Sequence, residues 1–215
     1  MIRSRQIFVV YLPGTFGFML GTILSKGSQA HFYSDGYSKI NAHNSNYKNK
    51  KDMHSKQDAE AILAMNDEER LNFFKKKSTA IDIKDRIYCF SSFHFLDIPL
   101  HKYFKEYTMV IILPKSNIPQ WAERHVIAIG QTKPEDMDAE IISKEQIMLK
   151  NIKKIPVIPN AIYFDPINFF DSDKIHTLVD QVYDQNKIEK IKIPRKRIEQ
   201  HMEKSKGFFK TTVDK

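Results

Sequence analysis

The sequence has little cysteine and little glycine, and it contains no long apolar run. Its one cysteine, Cys89, has no partner within the chain, which excludes an intrachain disulfide framework. A lone thiol suits a reducing compartment, where such a residue is usually a small buried apolar side chain. No stretch reaches the roughly 20 consecutive apolar residues that a membrane-spanning helix requires. We therefore expect a chain without a membrane span.

The amino-terminal segment shares some features with a secretory signal. Arg3 and Arg5 precede an apolar stretch from Ile7 to Leu24, in the order that such a signal requires. One proline and three glycines interrupt this stretch, at positions 13, 14, 17 and 21. This interruption favours a core strand followed by a turn, and we expect a cytoplasmic protein.

Arginine is also scarce, although the chain is basic. Only seven of the 34 basic residues are arginine, and the net charge is +8. Lysines concentrate at 48–56 and at 187–210. Basic charge attracts nucleotides, nucleic acids and acidic surfaces alike, so it does not choose among these partners. The 215 residues, of which 41% are hydrophobic and 28% charged, are typical of one folded domain.

Apolar, β-rich segments alternate with helical patterns along the chain. Candidate strands lie at 7–11, 86–92, 108–113 and 160–164. Candidate helices lie at 16–26, 56–65, 66–77, 97–107, 119–126, 137–152 and from 171 or 172 onward. The alternation predicts an α/β fold of three layers, with a mainly parallel sheet of about four or five strands.

We expect a single α/β domain over residues 1–215. A polar loop and helical insertion is expected at about 28–80, and a basic helical segment at about 188–215. The part of the loop at 37–53 could cover an acceptor pocket as a lid, because long loops in compact domains are often functional.

Glycines cluster where the first strand candidate ends and a helix candidate begins. Four of the seven glycines lie within 14 residues, at positions 14, 17, 21 and 27. Glycine lets the backbone approach an anion, successive amides point at it, and a helix amino terminus adds a positive dipole. We therefore predict a phosphate site made of Pro13, Gly14, Thr15, Phe16, Gly17 and Phe18. In this site Thr15 would add a hydroxyl donor. The alternative is that these glycines serve only a tight turn and close packing.

Two common phosphate-binding patterns are absent. The pattern G-x-x-x-x-G-K-[ST] requires a lysine at the phosphates, and no basic residue occurs between Gly14 and Lys26. The pattern G-x-G-x-x-G does not fit the spacing of the glycines. A loop without lysine suits a phosphate that is bound but not transferred. The sequence also lacks zinc-type ligand spacing and the G-x-S-x-G elbow of many hydrolases, so we expect no metal.

The loop and its surroundings resemble the sulfotransferases, a branch of the P-loop fold. Tyr11, Gly14 and Thr15 match the family's Y-P-K-S-G-T-T-W loop, which follows the first strand and holds a 5′-phosphosulfate. The family continues with a strand that ends in K-T-H and then a second apolar strand. Here the strand at 86–92 leads to His94, and the apolar strand at Thr108 begins 14 residues later.

The resemblance implies that the protein binds 3′-phosphoadenosine-5′-phosphosulfate (PAPS) or its product 3′-phosphoadenylate. It also implies transfer of a sulfuryl group to a hydroxyl or amine of a small-molecule or glycan acceptor, with His94 as general base. Lys115 or Arg124 would replace the arginine and serine that hold the cofactor's 3′-phosphate in the family. Leu12 stands where the family has its catalytic lysine.

Two alternatives remain open at this point. The absence of the loop lysine suits a non-catalytic module that binds nucleotides or polyanions on the same fold. The basic carboxyl-terminal segment suits a nucleic-acid-binding accessory protein.

Overall fold

Five short strands pair in one parallel sheet. The computed structural model describes residues 5–12, 14–26, 31–34, 61–79, 85–90, 93–129, 133–155, 157–187 and 198–199. Its strands are β1 (Arg5–Val10), β2 (His31–Ser34), β3 (Asp85–Phe90), β4 (Tyr107–Ile112) and β5 (Ile162–Phe164). They lie in the order β2-β3-β1-β4-β5, and each neighbouring pair is parallel. The strand β1 is therefore central.

Helices connect the strands. The α-helices are α1 (Gly17–Lys26), α2 (Asp67–Thr79), α3 (Ile118–Ile129), α4 (Met137–Lys154) and α5 (Ser172–Asn186). Short 3₁₀ helices occupy Phe93–Asp97, Leu100–Lys102, Pro134–Asp136 and Pro166–Phe170. Residues 61–64 add one helical turn before α2. Within the described ranges no helix has both the length and the apolarity needed to cross a bilayer.

The sheet is buried on both faces. Ile7 and Val9 of β1 pack in one layer with residues of α1 and α5. Phe8 and Val10, which point to the opposite face, pack in a second layer that includes Phe74 and Trp121. A central strand with both faces covered is expected to read as a continuous apolar run. The predicted three-layer α/β fold with a parallel sheet is confirmed.

Two helices begin at side-chain caps. Asn66 Oδ1 accepts hydrogen bonds from the amides of Glu68 and Glu69, each at 3.0 Å, and the Glu69 carboxylate accepts from the Asn66 amide at 2.9 Å. Asp171 Oδ1 accepts from the amides of Asp173 at 3.0 Å and Lys174 at 3.3 Å. Such caps satisfy amides that have no partner within the helix. Both helix starts agree with the sequence pattern.

Two predictions of local structure were wrong. His31–Ser34 forms an edge strand within the segment predicted as a loop; its four residues are too few and too polar to give an apolar pattern. The single helix predicted at 97–107 is two separate 3₁₀ helices, at Phe93–Asp97 and Leu100–Lys102. Pro99 lies between them, and proline both lacks an amide donor and disfavours helix in the residue before it.

The candidate lid at 37–53 lies outside the described residues, as does the basic segment at 188–215 except for Ile198 and Glu199. Those two residues are helical, and Ile198 is buried in the layer that contains α1 and α5. The expected division of the domain stays a prediction.

Candidate functional site

A tight turn follows the central strand. We call the described residues from Tyr11 to Gly17 the Gly14 loop; residue 13 is not described. The Thr15 amide donates to the Leu12 carbonyl at 3.1 Å, and the Thr15 hydroxyl donates to the same carbonyl at 2.6 Å. Because β1 is parallel to its neighbours, the loop lies at the carboxyl edge of the sheet, where ligands bind in open α/β folds.

Gly14 is required by its conformation and by its neighbour. Its φ of +87° lies in the region that favours glycine. A Cβ at this position would lie 3.1 Å from the backbone nitrogen of His125 and 3.2 Å from its Cα. The backbone of α3 therefore packs directly on the turn, and a side chain here would push the helix away.

Gly17 is required by packing alone. A Cβ at this position would lie 2.0 Å from Cγ of Tyr11, whose ring is buried beneath the first turn of α1. Turn geometry and close packing therefore explain both glycines, as the alternative interpretation of the sequence proposed. The glycines alone do not indicate an anion site, and the neighbouring groups have to be considered.

Phe16 connects the loop to two other elements. It has a positive φ of 66° at the start of α1. Its ring contacts that of Trp121 on α3, with centroids 5.8 Å apart, and those of Phe169 and Phe170 at 5.4 and 5.6 Å. The guanidinium carbon of Arg124 lies 3.8 Å from the Phe16 ring centroid. This distance is within the range of a cation–π interaction.

Arg124 places a desolvated positive charge beside the loop. Burial lowers the pKa of its guanidinium to about 10, so the group stays protonated at neutral pH. Lys115 lies in the connection between β4 and α3 and is exposed. Of the two predicted phosphate cations, the structure brings Arg124 into contact with the loop through Phe16. Lys115 as a ligand stays a prediction.

The first turn of α1 supplies backbone donors. Leu20 makes the first intrahelical bond, from its amide to the Phe16 carbonyl at 3.0 Å. The amides of Gly17, Phe18 and Met19 precede it and have no acceptor within the helix. No described side chain accepts a hydrogen bond from them. These amides and the Arg124 guanidinium could together hold an anion.

The remaining predicted site residues are placed as follows. The Thr15 side chain is buried and braces the turn, whereas the sequence predicted a donor to an anion; Thr15 as a ligand stays a prediction. His94 lies in the 3₁₀ helix after β3, and Phe18 lies in α1. The side chains of these two residues are not described. Leu12, at the position of the family's lysine, is buried in the layer with Phe8 and Trp121.

Sequence reasoning missed the aromatic neighbours of the loop. Trp121, Phe169 and Phe170 come from α3 and from the 3₁₀ helix after β5, so only the fold brings them to Phe16. The available signal was weak. Trp121 and the pair Phe169 and Phe170 each come after a strand candidate, but aromatic residues at such positions are common in protein cores.

A cleft lies at the opposite, amino-terminal edge of the sheet. It has a volume of about 420 Å³ and is lined by residues before β4, before β5 and at the end of α5. At one wall the buried Asn186 amide donates to the Thr108 hydroxyl at 2.8 Å. The described residues contain no group of three or more His, Cys, Asp or Glu suited to a metal ion. The cleft lies away from the Gly14 loop and contributes no residue to it.

Comparison with known proteins gives a likeness of structure but none of sequence. No protein-family model and no curated protein sequence matches the chain. Among solved structures, the sulfotransferase domain of the Synechococcus olefin synthase is similar, with a TM-score of 0.50 and 8% identity over 87% of this chain and 74% of that one.

Two kinases are also similar. A sugar kinase from Janibacter matches with a TM-score of 0.47 and 12% identity, over 86% of this chain and 95% of that one. Shikimate kinase from Bacteroides thetaiotaomicron matches with a TM-score of 0.43 and 14% identity, over 84% and 96%. At these identities the likeness concerns the fold alone: the chain has an α/β fold similar to that of a sulfotransferase domain.

Proposed function

We propose that the protein binds the phosphate group of an adenosine nucleotide of the PAPS type at the Gly14 loop. The observation that carries the proposal is the Arg124 guanidinium, which is 3.8 Å from the Phe16 ring and partly removed from solvent. An anion bound at the start of α1 would lie on the side of the loop where this positive charge is found, and the helix amino terminus favours an anion there as well.

The donors at this position suit phosphate. The amides of Gly17, Phe18 and Met19 and the planar guanidinium are hydrogen-bond donors without an acceptor function. The planar guanidinium can form two parallel hydrogen bonds to two phosphate oxygens, a geometry that the ammonium of lysine does not offer. The cofactor's 5′-phosphate would be held here, with Lys115 available for a more distant phosphate. PAPS, when bound, would supply the sulfuryl group.

A more specific proposal is that the protein also transfers the sulfuryl group of the bound nucleotide. The observation that favours it is the likeness of the fold to a sulfotransferase domain. His94 would then accept the proton of a hydroxyl or amine acceptor, since the backbone of His94 follows β3, the strand next to β1.

A non-catalytic nucleotide-binding module is the second candidate. The buried Leu12 favours it, because the position that carries a catalytic lysine in the sulfotransferases is here part of the core. The apolar side chain of Leu12 cannot stabilise charge on a leaving phosphate as a lysine would. The two candidates share the same bound nucleotide and differ only in chemistry.

Calorimetry with 3′-phosphoadenosine-5′-phosphate tests the shared part. We expect a Kd on the order of 10 µM and a clear loss of affinity in Arg124→Gln. Adenosine without phosphate should not bind measurably. If neither 3′-phosphoadenosine-5′-phosphate nor PAPS binds the unmodified protein, the proposal is wrong.

An assay with radiolabelled PAPS and a panel of hydroxyl and amine acceptors then separates the two candidates. Transfer that is lost in His94→Ala supports a sulfotransferase. Tight binding without transfer to any acceptor supports the binding module.

A further inference from the structure

Two exposed apolar side chains form a stripe along α4. Among the described residues six large apolar side chains are exposed, and three of them lie on α4: Ile142, Ile147 and Leu149. Ile142 and Leu149 are seven residues apart, so they lie within about 20° of each other around the helix axis. Both point about 100–120° away from Met148, the buried residue of α4. The helix therefore packs on the protein through Met148 and presents the stripe beside that contact.

Charges of opposite sign lie at the two ends of the stripe. Asp138 precedes Ile142 by about one turn, Lys153 follows Leu149 by about one turn, and both charged side chains are exposed. Within the described part of the chain neither of them forms an ion pair. The helix dipole by itself favours acidic residues at the beginning of a helix and basic residues at its end. It does not explain why these two charges share one side of α4 with two exposed apolar side chains.

The stripe is complementary to a second copy of itself that runs in the opposite direction. In an antiparallel pair of α4 helices centred between positions 145 and 146, Ile142 of each copy meets Leu149 of the other, because both positions are equally far from the centre. Asp138 and Lys153 are also equally far from that centre, so each carboxylate meets an ammonium group. A two-fold axis uses the same surface of both copies, and every contact is made twice.

We propose that this stripe of α4 is the contact surface of a symmetric, antiparallel dimer of the chain. Burial of Ile142 and Leu149 supplies the affinity, whereas the exposed ion pairs contribute little energy and fix direction and register. One pair of helices is a small interface, and the two Glu145 carboxylates beside the axis repel each other. We therefore expect a weak dimer, with a Kd on the order of 10–100 µM. The dimer does not depend on a ligand at the Gly14 loop.

Sedimentation equilibrium of the whole chain, at low salt and up to about 500 µM, tests the dimer. Ile142→Gln should raise the Kd by about tenfold or more, because it removes apolar area from the centre of the contact. Ile147→Gln is the matched control. Ile147 is similarly exposed, at 46% against 55% for Ile142, but it points about 140° away from Ile142 around α4. Its replacement should leave the Kd unchanged.

Charge reversal tests the antiparallel register. Asp138→Lys alone and Lys153→Asp alone should each raise the Kd by about fivefold or more, because like charges then meet at both ends of the contact. An equimolar mixture of these two variants should associate again as a heterodimer, since each lysine of one variant meets an aspartate of the other. The unmodified chain should dimerise as well as this mixture does.

Three results would overturn the proposal. The first is an unmodified chain that stays monomeric at about 500 µM. The second is a dimer that Ile142→Gln leaves intact or that Ile147→Gln weakens equally, because another surface or general surface hydrophobicity would then explain it. The third is a mixture of the two charge variants that stays monomeric while the unmodified chain dimerises, which would exclude the antiparallel register.

Discussion

The helices α1 and α5 are built alike but begin differently. Each follows a strand of the parallel sheet, and both pack in the same layer, where the Tyr183 hydroxyl donates to the Leu24 carbonyl at 2.7 Å. The first amides of α5 donate to the Asp171 carboxylate. At the start of α1 stands Phe16, which has no side-chain oxygen, and its ring lies under Arg124 instead.

The two helices differ in what lies at their first amides. Asp171 gives α5 both an acceptor and a negative charge at its positive end, which stabilises the helix. The corresponding amides of α1 have no such acceptor among the described residues, and the guanidinium that stacks on Phe16 is positively charged. An external anion would do for α1 what Asp171 does for α5. Substitutions at the two helix starts can break or sharpen this comparison.

The largest effect is expected at the first residue of α1. An alanine in place of glycine usually stabilises a helix by about 0.5–1 kcal/mol. Gly17→Ala should instead destabilise the protein by about 3 kcal/mol, because the new methyl group would overlap the buried Tyr11 ring. Urea denaturation measures the change in the free energy of unfolding.

Ser172, the first residue of α5, is the matched control for Gly17. Its Oγ is buried without a hydrogen-bond partner among the described residues, so Ser172→Ala should be neutral or slightly stabilising. A cost of less than about 1 kcal/mol for Gly17→Ala would show that Tyr11 can move aside. The close packing of α1 on the loop would then not be a constraint.

Gly14→Ala should have the next largest effect. A positive φ costs a residue with a side chain about 1–2 kcal/mol, and the methyl group would lie 3.1–3.4 Å from the backbone of α3. We expect a destabilisation of about 2 kcal/mol together with weaker binding of 3′-phosphoadenosine-5′-phosphate. Retention of full nucleotide affinity, measured by calorimetry, would contradict the position of the site.

The parts of this structure that sequence could predict are those with local causes. Asn66 and Asp171 precede helices that they cap through their own side chains. The strands β1 and β4 are continuous apolar runs because both faces of the sheet are covered. The strand β2 was missed because its pairing with β3, and not its own composition, makes it a strand.

The candidate site was predicted in part for the same reason. Gly14 and Gly17 lie close together in the sequence, directly after a strand candidate, so the turn was located correctly. The contact of Arg124 with Phe16 depends on the packing of α3 against the loop, which no local pattern encodes. The sequence therefore offered Lys115 as the phosphate cation, with Arg124 as the alternative. The inward hydrogen bond of Thr15 was also not predictable, since a threonine hydroxyl suits either direction.

A smaller effect is expected from the cap of α5. Asp171→Ala should destabilise the protein by about 1 kcal/mol, because two amides lose their acceptor. It should leave the affinity for 3′-phosphoadenosine-5′-phosphate unchanged, since Asp171 caps α5 and not α1. Asp171→Ser retains a capping oxygen and is the control. A change in nucleotide affinity in Asp171→Ala would contradict the conclusion that the start of α5 has no part in nucleotide binding.

The smallest effect is expected at the start of α2, where Asp67 is exposed. Its carboxylate accepts from Lys102 Nζ at 2.8 Å and from the Tyr103 hydroxyl at 2.6 Å, and these hydrogen bonds hold the pKa of Asp67 below its usual 3.8. The contribution to stability is therefore complete above that value and lost as the pH falls through the lowered pKa. Asp67→Asn should lower the melting temperature less than Asp171→Ala does at pH 7, and the difference from the unmodified protein should vanish in strong acid. A difference that persists there would mean that the amide disturbs the contacts of Tyr103, and that the charge of Asp67 is not what matters.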